Sequence, residues 1–322
     1  MNKDVVALTN AITDVFFKVT EEELNALGLK KGFATSKKAF YASPKFKQLM
    51  NKDSLLIPGG SPANVAHGTA VLGRKSGLIG TVGDDEVGTN YYRDVKKSGL
   101  QNLLTVIKGE ESGVCYIMVT PDGEKTQVAD LKIANKFYIE HKKLGEYKIF
   151  HTSGYELLSN PEATSDTIKQ AKSKGLKISF DIADPVVPKK MRRNLEEALR
   201  QVHYLTMTED ELKSYVEEEE LEKAIKKIQG LYNTELIAVK KGGKGSELIV
   251  RNERIIIPAC RCNVVNTTGA GDTYSAGLLT GILLGWAPES SARLGSYVAA
   301  QACSQEGARL TKPKVERLRT SR

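Results

Sequence analysis

Histidine, cysteine and tryptophan are scarce in this chain, and the scarcity excludes several chemistries. Its 322 residues include four His, four Cys and one Trp. His67, His141, His151 and His203 are scattered without metal-ligand spacing. Cys260 and Cys262 are separated by one residue, which is not a C-x-x-C spacing, and no His lies near them. A zinc site is therefore not expected, and a reducing cytoplasm is the expected compartment. No apolar run reaches membrane-spanning length, and Met1-Asn2-Lys3-Asp4 leads into Val5-Val6-Ala7-Leu8 without a signal-peptide core. The absence of G-x-S-x-G argues against an α/β-hydrolase. The absence of G-x-G-x-x-G after the first strand argues against a Rossmann dehydrogenase. Gly242-x-x-Gly245-Ser246 lacks the Walker ending and leads into a strand pattern.

What is present is ordinary for a folded protein: 40% hydrophobic and 27% charged residues. The length suits one large α/β domain with an appendage, or two domains. The net charge of +8 would favour nucleic acid or an acidic membrane if it were clustered. It is scattered, and many Lys and Arg pair with Glu at helical spacing. The densest group, Lys189-Lys190-Met191-Arg192-Arg193, reads as a solvated helix. No nucleic-acid or membrane partner is expected, whereas an anionic small molecule such as a nucleotide fits the charge.

Strand and helix signals alternate. Val5 to Leu8 reads as a buried strand, and Asn10 and Asp14 follow beyond its end, where α/β sheets bind ligands. Val15 to Val19 reads as a second strand, and Thr20 with Glu23 forms a capping box for a short helix. Residues 28–53 form an excursion with Phe33, Phe40, Tyr41 and Phe46, and Leu55-Leu56-Ile57 is expected to return to the core. Pro58-Gly59-Gly60-Ser61 is a turn before a small-residue helix carrying Asn64. Leu78-Ile79 is a strand, and Gly83 to Gly88 opens a helix. Val114–Thr120 and Lys125–Leu131 flank Pro121-Asp122-Gly123-Glu124 as a hairpin, which with Val15–Val19 makes a candidate small sheet. Strands are expected at 148–151, 176–181, 204–207, 236–239 and 246–250. Helices are expected from Asn160-Pro161 to Gly175, over 187–201, from Thr208, over 270–285 and over 289–306. This alternation implies right-handed βαβ units around a mostly parallel sheet.

Small residues and an acid meet at a helix start in Asn266-Thr267-Thr268-Gly269-Ala270-Gly271-Asp272. A helix N-terminus offers unpaired N–H groups and partial positive charge, and small residues let a phosphate oxygen approach. A carboxylate there repels phosphate. It suits a base for an attacking hydroxyl, or a metal ligand. A glycine-rich loop capped by Asp is the plainer alternative.

Taken with Asp14 and with Gly59-Gly60 in register with Asn64, this stretch resembles the D-T-x-G-A-G-D signature of the ribokinase-like (PfkB) family of carbohydrate and nucleoside kinases. The resemblance runs from about residue 4 to about residue 311. It implies a three-layer α/β/α sandwich with a smaller β-sheet lid, as a single unit over 1–322. The lid would comprise about 12–54 and 110–134, and 312–322 a polar tail. It implies Asp272 as general base and Gly269, Ala270 and Gly271 as anion hole. Asn10, Asp14 and Asn64 would bind substrate, with Gly59 and Gly60 as lid hinge. Gly242, Gly245, Thr208, Thr267 and Lys125 would lie by the nucleotide. Glu211 would act on magnesium through water. ATP and Mg2+ are implied, and a need for a monovalent cation such as K+ is left open. Two departures stand out: Asn266 replaces the commoner Asp, and Thr208 replaces the Asn of the N-x-x-E motif.

Within that family, the long segment between Asp14 and Gly59, the Gly59-Gly60-Ser61 turn and the run Lys125 to Asn135 are similar to adenosine kinases. Lys125 stands where those kinases carry Arg, a looser hold on phosphate. Phe16, Phe33, Tyr41 and Tyr116 are candidates to stack on a purine, or else lid core. The leading expectation is ATP-dependent phosphorylation of a nucleoside 5′-hydroxyl, adenosine first, in purine salvage. A ribose- or fructose-type sugar kinase is the alternative. A non-catalytic binding module and a nucleic-acid-binding protein are the expectations from other classes. The protein is expected to be a monomer or homodimer.

Overall fold

Val5, Val6, Ala7 and Leu8 are fully buried, as in a strand covered on both faces of a parallel sheet. The computed structural model describes residues 3–31, 37–251, 253–305, 307 and 309–311. Phe33 and the tail expected over 312–322 lie outside the described residues. The strands are β1 (Lys3–Leu8), β2 (Ile12–Lys18), β3 (Leu55–Pro58), β4 (Ser76–Gly83), β5 (Gln101–Ile107), β6 (Gly113–Val119) and β7 (Lys125–Asp130). They continue as β8 (Tyr147–Ser153), β9 (Lys177–Asp181), β10 (Tyr204–Thr208), β11 (Leu236–Lys240), β12 (Ser246–Val250) and β13 (Glu253–Ile257). The α-helices of the first half are α1 (Glu21–Ala26), α2 (Lys37–Ala42), α3 (Phe46–Met50), α4 (Ser61–Val71) and α5 (Glu86–Lys97). Those of the second are α6 (Gly154–Ser159), α7 (Pro161–Ser173), α8 (Val186–Leu199), α9 (Glu209–Val216), α10 (Leu221–Ile228), α11 (Ala270–Leu283) and α12 (Pro288–Cys303).

Nine strands form one sheet in the order β13-β12-β11-β10-β9-β8-β1-β4-β5. It is parallel from β11 to β5, and β12 and β13 run antiparallel at the far edge. Val6 and Leu8 face a core shared with α6 to α10. Val5 and Ala7 face the opposite side, covered by α4, α5, α11 and α12. Helix starts follow their local signals. Thr20 and Glu23 form the expected capping box, and Asn160 caps α7 with Pro161 as its first residue.

A second sheet has the order β3-β2-β6-β7. Val15, Phe17, Val19, Val114, Tyr116, Met118 and Val128 alternate onto one face and pack with Leu24, Phe40 and Leu49. Asp14 pairs with Cys115, and Phe16 with Ile117, on the opposite face. Leu55-Leu56-Ile57 does not return to the main core as expected. It forms the edge of this smaller sheet, where Leu55 is 54% exposed and Leu56 44%. Three consecutive apolar residues suit an edge strand as well as a buried one, and periodicity does not separate them. Strand β5 has no counterpart in the sequence expectations. Its polar interleaving reflects its place at the other sheet edge.

The small residues of α4 and α11 allow close helix packing. A Cβ on Gly68 would lie 2.7 Å from the Ala276 Cβ, and one on Gly277 would lie 2.7 Å from the Gly295 Cα and from Val298 Cγ2. Helix propensity favours alanine over glycine by about 1 kcal/mol, but forced overpacking costs about 1–3 kcal/mol. Gly277→Ala is expected to destabilise the protein in urea melts. A neutral or stabilising effect would show that α12 has room to shift.

Candidate active site

The chain turns sharply from β3 into α4. Gly60, the N-cap of α4, has φ +95°, and a Cβ there would meet Thr9 Oγ1 at 2.4 Å and the Asn10 carbonyl oxygen at 2.6 Å. Only glycine fits both the angle and the space. A Cβ on Gly59 would lie 2.8 Å from Asp14 Oδ2, so this backbone runs directly against that carboxylate. The Gly59 N–H donates to the Ile12 carbonyl at 2.8 Å. Its own carbonyl accepts from the Tyr91 hydroxyl, also at 2.8 Å.

This turn brings the start of α4 against the start of α11. Asp272 lies in the first turn of α11, after Gly269 as N-cap. Its Oδ1 accepts from Ser61 Oγ at 2.7 Å and its Oδ2 from Asn64 Nδ2 at 2.9 Å. Burial pushes the Asp272 pKa up to about 6, against the lowering effect of these two hydrogen bonds. Burial also pushes Asp14 up to about 7, opposed by Arg309 and reinforced by Asp272. The Ala270 N–H turns back to the Thr267 carbonyl at 3.2 Å. The N–H groups of Gly271 and Asp272 belong to the first helical turn, whose donors have no acceptor within the helix.

Asn266 explains how the loop tolerates Asn in place of Asp. Its Oδ1 accepts from the Thr268 N–H at 2.9 Å. Lys125 on β7 donates to the same Oδ1 at 2.5 Å and also to Thr268 Oγ1, clasping the smaller sheet to this loop. A cleft of about 1330 Å³ runs alongside, between Phe16, Leu55, Ile57 and Val119 on one wall and Val264 to Thr268 on the other. Of the candidate stacking residues, Phe16 lines this cleft. Tyr41 and Tyr116 do not, because Tyr116 alternates onto the opposite face and packs edge-on to Tyr41 and Phe46. Those two tyrosines belong to the core of the smaller sheet.

Asn10 is buried and held from behind. Its N–H donates to Glu156 Oε1 and its Oδ1 accepts from Ser159 Oγ, both at 2.9 Å. Thr208 and Glu211 form a capping box at the start of α9, in which Glu211 Oε2 accepts from the Thr208 N–H at 2.8 Å. Burial raises the Glu211 pKa, as does nearby Asp181. With Oε2 engaged, a metal would be reached by Oε1 or through water. One carboxylate beside substrate phosphates suits Mg2+, which keeps several waters. Among the described residues no cluster of three or more His, Cys, Asp or Glu forms a metal cage. Gly242 opens a tight turn that ends at Gly245. Gly242 is exposed, whereas a Cβ on Gly245 would lie 2.1 Å from the Ile257 carbonyl oxygen. Thr267 is exposed on the cleft wall.

Three residues of this neighbourhood, Asp181, Lys240 and Arg309, were not singled out in the sequence, and a fourth, Ser61, was read only as part of the turn before α4. Ser61 grips Asp272. Arg309 donates to Asn64 Oδ1 at 3.4 Å and pairs with Asp94. Lys240, the last residue of β11, pairs with Asp181 at 2.6 Å. A charge closing the apolar run Leu-Ile-Ala-Val is a visible signal for Lys240. Arg309 lies far along the chain and carries none.

A family model described as pfkB family carbohydrate kinase matches residues 47–315. A fructokinase of Klebsiella pneumoniae is 27% identical over 263 residues, covering 77% of this chain and 85% of that protein. An adenosine kinase of Saccharomyces cerevisiae is 24% identical over 329 residues, covering 95% and 96%. The crystal structure of adenosine kinase from Sinorhizobium meliloti superposes with a TM-score of 0.86 at 25% identity, covering 96% of each chain. No helix among the described residues is long and apolar enough to cross a membrane.

The pKa of Asp14 has a consequence for stability. An acid whose folded pKa is raised from 3.8 to about 7 contributes stability that is present below the unfolded pKa and lost as pH rises through the folded one. Asp14→Asn removes this titration. The variant is expected to gain about 1–3 kcal/mol relative to wild type at about pH 8, with the difference shrinking toward about pH 4. Denaturant melts at the two pH values check the sign. A larger gain at low pH would contradict the raised pKa of this carboxyl.

Proposed function

The chain belongs to the pfkB family of carbohydrate kinases, and from that premise we propose that it phosphorylates the primary 5′-hydroxyl of a nucleoside, adenosine first, using ATP. The chain is a phosphotransferase with an alcohol acceptor, of the class that takes sugars or nucleosides. The observation that carries the assignment of Asp272 is the grip of Ser61 and Asn64 on its carboxylate. It fixes a carboxylate at the start of α11, close enough to Asp14 for its charge to raise the Asp14 pKa. In this reading Asp272 takes the proton of the acceptor hydroxyl as oxygen attacks phosphorus. The first-turn N–H groups of α11 stabilise the charge on the transferring group. Asp14 accepts hydrogen bonds from a diol, and Glu211 serves Mg2+ through water. Lys125, released from Asn266, would reach phosphate oxygens. The turn at Gly59-Gly60 would flex as the smaller sheet closes.

The apolar wall of Phe16, Leu55, Ile57, Val119, Val264 and Val265 supports a nucleobase. A free sugar such as ribose or fructose is the second reading. It is favoured by the turning of Tyr41 and Tyr116 into the core of the smaller sheet, which leaves Phe16 on this wall among the described stacking candidates. A coupled assay across nucleosides and sugars decides between them. Adenosine is expected to have the highest kcat/KM, and faster turnover of ribose or fructose would replace it.

Asp272→Asn is expected to lower turnover by about 10²-fold or more, with acceptor binding nearly intact, the usual scale for loss of a general base. With a folded pKa of about 6, the base is ionised above that value. Wild-type kcat/KM is therefore expected to fall about tenfold per pH unit below about pH 6. An undiminished Asp272→Asn variant, or a flat profile down to about pH 5, would remove Asp272 from that role.

A further inference from the structure

We propose that Lys240 is a catalytic residue of the phosphoryl transfer, its ammonium group contacting the transferring phosphoryl beside Gly271, and that Asp181 is the positioning residue that holds it there. The inference rests on the reading of Asn266 to Asp272 as the phosphoryl-transfer centre.

Lys240 lies at the carboxyl edge of the parallel strands, paired in register with Thr208, the edge at which α/β sheets bind ligands. Its Nζ would be 3.1 Å from a Cβ on Gly271, so the ammonium sits over the first turn of α11. That is the wrong end of a helix for a cation, because the helix dipole is positive there. An anion between the ammonium and the helix start turns this repulsion into attraction from both sides. The cost of the placement is met by Asp181, which is 3% exposed. Its Oδ2 accepts from Lys240 Nζ at 2.6 Å, from Thr206 Oγ1 at 2.6 Å and from Ser275 Oγ at 3.3 Å. Its Oδ1 accepts from the Ala183 N–H at 2.9 Å. With both oxygens occupied, Asp181 holds one orientation, and the ammonium with it.

Burial opposes the charge on Lys240, but Asp181 and Glu211 raise its pKa above the ordinary lysine value, so it stays a cation at neutral pH. A buried ion pair is seldom retained for stability, since an apolar pair of the same volume does as well or better. The charge therefore has another use. During transfer the acceptor oxygen–phosphorus bond forms, the phosphorus–oxygen bond to ADP breaks, and the hydroxyl proton passes to Asp272. Lys240 keeps its own proton and offsets the negative charge of the group in flight.

The test compares Lys240→Met, Lys240→Arg and the double variant Lys240→Met/Asp181→Asn in the full chain. Each is assayed with ATP and the acceptor that turns over fastest in the panel above. Lys240→Met is expected to lower kcat about 10²–10³-fold, the scale of losing one preorganised charge-stabilising donor. The double variant, which leaves no orphaned charge, is expected to recover the melting temperature but not kcat. Lys240→Arg, which keeps the charge, is expected to exceed Lys240→Met by about tenfold. Calorimetry gives a readout independent of turnover. Affinity for ADP with fluoroaluminate, a mimic of the phosphoryl in flight, should fall about tenfold or more in the double variant, while affinity for ADP alone changes less than about threefold. A double variant with wild-type kcat and fluoroaluminate affinity would make the pair purely structural and overturn the proposal. Asp272→Asn runs in parallel. If it is inactive while the double variant is active, Lys240 alone is misassigned. If it is fully active, the phosphoryl-transfer reading fails and takes this inference with it.

Discussion

The grip of Ser61 and Asn64 on the Asp272 carboxylate is the contact on which the site depends, and it exists because two helix starts can come close. Burial raises the pKa of this group, and the two hydrogen bonds oppose the rise. The balance leaves a carboxyl that titrates near neutrality and is held in one orientation. Such closeness requires small residues between the helices, and Gly68 against Ala276 supplies them. The packing of α4 on α11 and the geometry of the Asp272 carboxylate are thus one constraint, and loosening the first disturbs the second.

The smaller sheet separates its two tasks by strand alternation. One face buries Phe17, Tyr116 and Val128 against α1 to α3 and forms the core of this sheet. The other presents Phe16 to the cleft and sets Asp14 against the Gly59 backbone. A shift of one residue in register would exchange the two sets. The clasp of Lys125 on Asn266 and Thr268 ties this sheet to the loop before α11 through a single side chain.

The chain's positive charge is a poor guide to the site itself. Asp14, Asp181, Glu211 and Asp272 gather there, and the cations among them, Lys125, Lys240 and Arg309, come from distant parts of the sequence. Each cation has a carboxylate or a polar side chain as partner. A highly charged substrate would meet fixed cations and helix N–H groups, while the acceptor would meet carboxylates. This division of sign suits a reaction that joins an anionic donor to a neutral alcohol.

Local chemistry made much of this legible in the sequence. The buried run Val5 to Leu8, the capping box at Thr20, the helix start at Thr208, the Asn160-Pro161 helix start and the hairpin around Asp122 depend on neighbours a few residues apart. So does the glycine-rich helix start with its acid, Asn266 to Asp272. What depends on contacts between distant segments was decided only in three dimensions. Leu55 to Ile57 is apolar, yet it lies at an exposed edge, because pairing with β2 and not composition set its place. Tyr41 and Tyr116 are aromatic, but the register of β6 against β2 turned Tyr116 away from the cleft. Ser61, Asp181, Lys240 and Arg309 gained their positions from helix packing and sheet order. These contacts join residues from 59 to 245 apart in the chain, a reach that leaves no local trace beyond the charge that closes the apolar run before Lys240. Asp272 carried its own signal at the start of α11, and the fold supplied the partners that surround it.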